Sequence, residues 1–193
     1  LLNKQAMIYG DAAVAAMAIV TKIFQMLFSV LIGFGQGYQP VLGFNYGAGI
    51  MDRVKKAMKF HLKVGTIGMS IAAVIMFAAA PYLLKLFIAD DPAVVEIGTK
   101  ALRAQAISMP LLPLGVAANM TFQSIGKSWK ATIMSAMRQG IFFLPLIFFL
   151  PKIFGLWGVV TSQAGADLLT AVACTPFLIH FYKNLTEEKE TEA

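Results

Sequence analysis

Charged residues fall in short clusters, and between clusters the sequence runs apolar for the length of a membrane helix. From Lys22 to Asp52 no charge intervenes over 29 residues, and the apolar pattern reaches back to Ala12. A helix over this stretch of about 34 residues would measure about 50 Å, well beyond the ~30 Å hydrocarbon core. The pattern therefore predicts a break or kink at Gly33-Phe34-Gly35-Gln36-Gly37-Tyr38-Gln39-Pro40, where three glycines and a proline weaken the ladder. Uncharged runs at residues 64–84 and 104–126 also span, the second despite Pro110 and Pro113, which membrane helices tolerate. Residues 131–150, containing Arg138, and 154–182, containing Asp167, complete five predicted spans. The fold class is all-α integral membrane. Residues 1–183 form the embedded part, and residues 184–193 are a charged, solvated tail with too little apolar surface to fold. Residues 1–11 read as the end of something earlier, without a signal-peptide pattern, so the chain is expected to be incomplete at its N-terminus.

Loop charges orient the spans. Arg53, Lys55, Lys56, Lys59 and Lys63 crowd the connection after the first span, expected over residues 46–63. Asp90, Asp91 and Glu96 mark the next, expected over residues 89–98. The positive-inside rule makes the first cytoplasmic and the second external. Lys127 and Lys130 then mark another cytoplasmic connection, and the C-terminus after Lys183 is cytoplasmic. The expected location is the inner (plasma) membrane, multi-pass, with the lipid bilayer as the chief partner. Composition agrees: 58% of residues are hydrophobic and only 13% charged, against about 25% in soluble domains. The net charge of +6 is a topology signal, and no nucleic-acid partner is expected. A single cysteine, Cys174, can build neither a disulfide framework nor a thiolate metal site.

Polar residues inside the spans are the candidate chemistry, because intramembrane charge is costly. At 100° per residue, Asp11, Lys22, Gln25, Ser29 and Gln36 share about 60° of the first helix. This stripe either glues helices or faces a water-filled cavity. Gln105, Ser108, Asn119 and Gln123 share a face of the third span, and Gln163, Asp167, Thr170 and Cys174 one of the last. Counting outward from a final turn centred between Lys152 and Ile153, Arg138 and Asp167 each lie about 14.5 residues away, about 22 Å deep. The two should meet, as a static ion pair or as part of cation or proton coupling. No catalytic or metal site is expected: His61 lies in a basic loop and His180 at a membrane exit, with no HExxH, GxSxG or Walker pattern.

The stretch Gly33-Phe34-Gly35-Gln36-Gly37-Tyr38-Gln39-Pro40-Val41-Leu42-Gly43-Phe44-Asn45-Tyr46-Gly47-Ala48-Gly49, followed by Arg53-Val54-Lys55-Lys56-Ala57, resembles the eighth helix and following loop of the multidrug and toxic compound extrusion (MATE) family. Phe122-Gln123-Ser124-Ile125-Gly126-Lys127, Ser135-Ala136-Met137-Arg138-Gln139-Gly140 leading to Pro145, and Gly155-Leu156-Trp157-Gly158 extend the resemblance over nearly the whole chain. It implies five helices of a six-helix C-terminal lobe, facing an N-terminal lobe of the same polypeptide across a substrate cavity. It further implies an antiporter exporting small organic cations or amphipathic drugs in exchange for Na+ or H+, without a cofactor. The pathway residues are expected among Lys22, Gln25, Gln36, Asn119, Gln123, Arg138, Gln163 and Asp167. The alternatives are a lipid-linked oligosaccharide flippase of related architecture, which would want a denser row of cavity arginines, and a non-transporting membrane scaffold.

Overall fold

The computed structural model describes residues 2–88 and 91–191, with side chains through Leu185. A short helix α1 (Leu2–Ala6) and a 3-10 turn (Met7–Tyr9) lead to Gly10, whose φ of +97° admits the bend into α2 (Asp11–Gly47). The Asp11 carboxylate complements the dipole at the start of α2. The helix then runs uninterrupted through residues 33–40 with Pro40 inside it, so of the break or kink expected there, the break does not occur. Packing explains this. Gly35 is buried beneath Met120 and Val116, and a Cβ there would collide with the Met120 sulfur. The glycine admits a neighbouring helix, as small residues do at membrane helix contacts. Pro40 forfeits a bond that a surrounding bundle tolerates.

Gly49, with φ +71°, helps reverse the chain, and α3 (Met51–Phe87) begins at once. The basic connection expected over residues 46–63 is therefore mostly helix, with its five cations on the first turns of α3. Lys, Arg, Ala, Met and Leu are good helix formers and carry the ladder past the apolar boundary. Of the acidic connection, Ala89 and Asp90 lie outside the described residues. Asp91 caps α4 (Pro92–Ser108), accepting from the backbone N–H groups of Ala93 at 3.0 Å and Val94 at 3.3 Å.

Pro110 sits in a 3-10 turn (Met109–Leu111) that joins α4 to α5 (Leu112–Ser124). The fourth span is α6 (Ser128–Ala136), a π turn (Met137–Ile141) and α7 (Phe143–Phe154). Gly155, at φ +59°, turns the chain into α8 (Leu156–Thr191). The last turn thus lies beyond its predicted centre, at the residue that adopts positive φ without strain. α8 also continues through the segment expected to be an unfolded tail, where Glu and Lys favour helix and Leu185 is buried.

Among the described residues, five helical segments are long and apolar enough to cross a membrane: Asp11–Gly47, Met51–Phe87, Pro92–Ser124, Ser128–Phe154 and Leu156–Leu185. They alternate in direction. At one end the Tyr9 hydroxyl donates to the Pro151 carbonyl at 3.3 Å, and the Lys100 ammonium lies 5.1 Å from the Trp157 ring centroid. At the other, Lys59 lies 5.5 Å from the Tyr182 ring centroid and Gln39 donates to Gln123.

Candidate functional site

The polar face of α8 turns into the bundle, and Asp167 is 2% exposed there. Its carboxylate would be untenable in an apolar interior without donors. Three elements supply them. Arg138, in the π turn, donates through Nε to Oδ1 at 2.7 Å; Gln105, on α4, donates to Oδ2 at 2.9 Å; and Gln163, one turn earlier on α8, donates to Oδ1 at 3.3 Å. The Arg138 guanidinium lies over the α2 aromatics, its central carbon 3.9 Å from the Phe28 ring centroid and 5.9 Å from that of Phe24. Aromatic faces stabilise a cation that has left water.

The predicted meeting of Arg138 and Asp167 thus occurs, although its counting origin was displaced. Measured from Gly155, the two lie 17 and 12 residues away, a mismatch of about 7.5 Å in ideal helices. The wider π turn and the long arginine stem close the gap.

The pair borders a pocket of about 290 Å³ whose other lining includes Phe28, Ile32, Asn119, Met120, Ser135 and Gln139. Asp11, Lys22, Gln25, Ser29 and Gln36 are all exposed on α2, so the stripe does not serve packing within this chain. Phe28 and Ile32 sit only about 60° around α2 from that stripe, which makes stripe and pocket neighbours on one side of the lobe. Asn119 clips α5 to the fourth span, its Nδ2 donating to the Ala131 carbonyl and to Ser135 Oγ, each at 2.7 Å. Gln123 accepts from Gln39 near the helix ends, away from the pocket lining.

Two features lay beyond the sequence reading. Gln105 shares a polar face with Ser108 in the sequence, but its bond to Asp167 joins α4 to α8, and periodicity along one helix does not say which helices touch. His61 is no loop residue: it lies within α3, 1% exposed, stacked against Phe34 and Tyr38 at 4.9 and 4.4 Å between ring centroids. The surrounding lysines hid it.

The MatE family model matches residues 2–149. Multidrug export protein MepA of Staphylococcus aureus strain MRSA252 is 30% identical over 167 residues, covering 86% of this chain and 36% of the relative. MepA of Staphylococcus saprophyticus is 27% identical over 181 residues, covering 94% and 40%. Among solved structures, an outward-facing multidrug resistance MATE family transporter of the MOP superfamily superposes with a TM-score of 0.88 at 19% identity, over 96% of this chain and 42% of that one. The Vibrio cholerae MATE transporter VcmN in its bent form gives 0.83 at 20% identity, over 97% and 42%. The chain spans about two fifths of the length of these relatives. An all-α membrane bundle with that family match over most of its length belongs to the MATE family of transporters.

Proposed function

We propose that the chain forms the C-terminal lobe of a secondary active antiporter that exports cationic or amphipathic drugs in exchange for Na+ or H+. An N-terminal lobe of the same polypeptide rocks against it in alternating access. The observation that carries this reading is the exposed polar stripe of α2 running beside the Arg138–Asp167 pocket. Facing hydrocarbon, Lys22 alone would cost about 2.5–3.5 kcal/mol, so an aqueous space between lobes is the favourable neighbour. Two relatives named as multidrug export proteins support the cargo class. Arg103 is spent on the Phe77 carbonyl at 3.4 Å, which leaves the pocket one arginine and favours a drug exporter over a flippase. The protein sits in the plasma membrane with the α2–α3 turn and the C-terminus in the cytoplasm, as the basic clusters direct.

The same geometry favours a structural tie at Asp167, since amide and guanidinium donors from three elements already surround its carboxylate. The full-length protein in proteoliposomes, given a sodium or proton gradient, should move a fluorescent organic cation against its concentration. Absence of gradient-driven movement under both gradients overturns the antiporter. Folded Asp167→Asn protein should retain the flux, and a selective loss of flux at unchanged stability would assign the carboxylate to coupling instead.

A further inference from the structure

A second pocket, of about 620 Å³, opens between α2 and α3 toward the basic end of the bundle. Among the described residues, two buried polar groups in its lining lack partners. Neither ring nitrogen of His61 is hydrogen-bonded, and Asn45 Oδ1 accepts nothing, while the Asn45 amide donates to the Val41 carbonyl at 2.7 Å. Buried polar groups are seldom left unpaired, and two in one pocket point to a missing ligand. A neutral imidazole offers one donor and one acceptor, and Asn45 Oδ1 requires a donor, so the ligand carries both kinds of group.

Charge and depth narrow its chemistry. Arg53 and Lys56 are exposed and line the same pocket, calling for an anion. His61 lies five and eight residues further along α3, about 8–12 Å deeper. Val41 lies between these levels and Phe60 beside His61, 50% and 62% exposed, and Phe34, seven residues before Val41 on α2, carries the apolar wall about 10 Å further in. An anionic head, an acceptor below it and a hydrocarbon tail match this order. The pocket face lies about 150° around α2 from the polar stripe, so it looks toward lipid when the stripe looks toward the other lobe.

We propose that this pocket holds one anionic phospholipid with a hydroxyl-bearing headgroup, of the phosphatidylglycerol class. Its phosphate lies between Arg53 and Lys56, a headgroup hydroxyl donates to Asn45 Oδ1, and an ester carbonyl accepts from the His61 N–H. One acyl chain runs from the His61 level past Phe60 and on along Phe34. Placing this lipid in the cytoplasmic leaflet rests on the orientation proposed above.

The test uses the delipidated full-length protein in nanodiscs of phosphatidylcholine mixed with phosphatidylglycerol. Retained lipid is counted by native mass spectrometry and thermal stability is followed in parallel. Phosphatidylglycerol should be retained over phosphatidylcholine by about tenfold or more, two near-surface cations acting together, and should raise the melting temperature. Arg53→Gln/Lys56→Gln should abolish the preference, whereas Lys63→Gln/Lys127→Gln, an equal charge loss outside the pocket, should keep it. His61→Phe, which preserves the aromatic stack, should weaken it and serves if the double variant does not fold. Equal retention of both lipids, equal loss in the control, or indifference to all pocket variants overturns the proposal. Stabilisation by glycerol phosphate alone would identify a soluble phosphate ligand and overturn it too. Nanodiscs expose both leaflets, so failure here is independent of failure of the orientation.

Discussion

Replacing Arg138 by Gln should cost more stability than replacing Asp167 by Asn, although the two share one salt bridge. Breaking a buried pair by removing one partner costs about 3–5 kcal/mol, because the other charge is stranded. What happens to the stranded charge differs on the two sides. The Asp167 side chain is 0% exposed and the Arg138 side chain 17%. After Asp167→Asn, the guanidinium keeps its place over Phe28 and takes water from the pocket, so the loss falls near about 3 kcal/mol or below. After Arg138→Gln, the carboxylate retains Gln105 and Gln163 but has no exposed side-chain surface of its own, which moves the loss toward about 5 kcal/mol. The double variant strands no charge and should recover about 2 kcal/mol relative to the sum of the single losses. Denaturant titration of the detergent-solubilised full-length protein measures all four corners of this cycle. An Asp167→Asn loss exceeding that of Arg138→Gln, or additivity within about 0.5 kcal/mol, would refute the argument.

Gly158→Ala should loosen the final hairpin by about 1–3 kcal/mol, since its new methyl would meet the backbone of Leu150 and Pro151, which cannot rotate away; unchanged thermal stability contradicts that packing. Tyr38→Phe should cost about 1–3 kcal/mol by stranding the buried Thr121 hydroxyl, now bonded at 2.7 Å, and adding Thr121→Val should restore most of it; a further loss in the double variant speaks against the bond. In a Cys174→Ala background, cysteine at Ile50 should react from the cytoplasmic side and cysteine at Ala93 from outside. The reverse labelling pattern defeats the orientation.

The five spans were legible because charge-free runs of bilayer length carry their own signal. Their ends were less so, since the helical ladder of α3 does not stop where the apolar run stops: Arg53 to Lys63 are helical and outside that run. The glycines at residues 33–37 suit both a hinge and a close approach, and what decides for Gly35 is Met120, a residue remote in sequence. Depth counting found Arg138 and Asp167 because both flank one short turn, and an error of a few residues lies within the reach of an arginine. Gln105 could not be found that way. Its bond to Asp167 joins α4 to α8, and periodicity along one helix does not say which helices touch. The unpartnered edge of His61 was equally hidden, because hydrogen-bond satisfaction is a property of neighbours.

The ion pair has a consequence for the order of synthesis. Arg138 leaves the ribosome 29 residues before the carboxylate that neutralises it. At about 5–20 residues per second, that interval lasts roughly 1.5–6 s. A lone guanidinium settling among acyl chains during that time would carry the insertion penalty unaided, at about 2.5–3.5 kcal/mol. Delaying entry until Asp167 has emerged removes most of that penalty, which favours the fourth and fifth spans partitioning from the translocon together, as a preformed hairpin closed at Gly155.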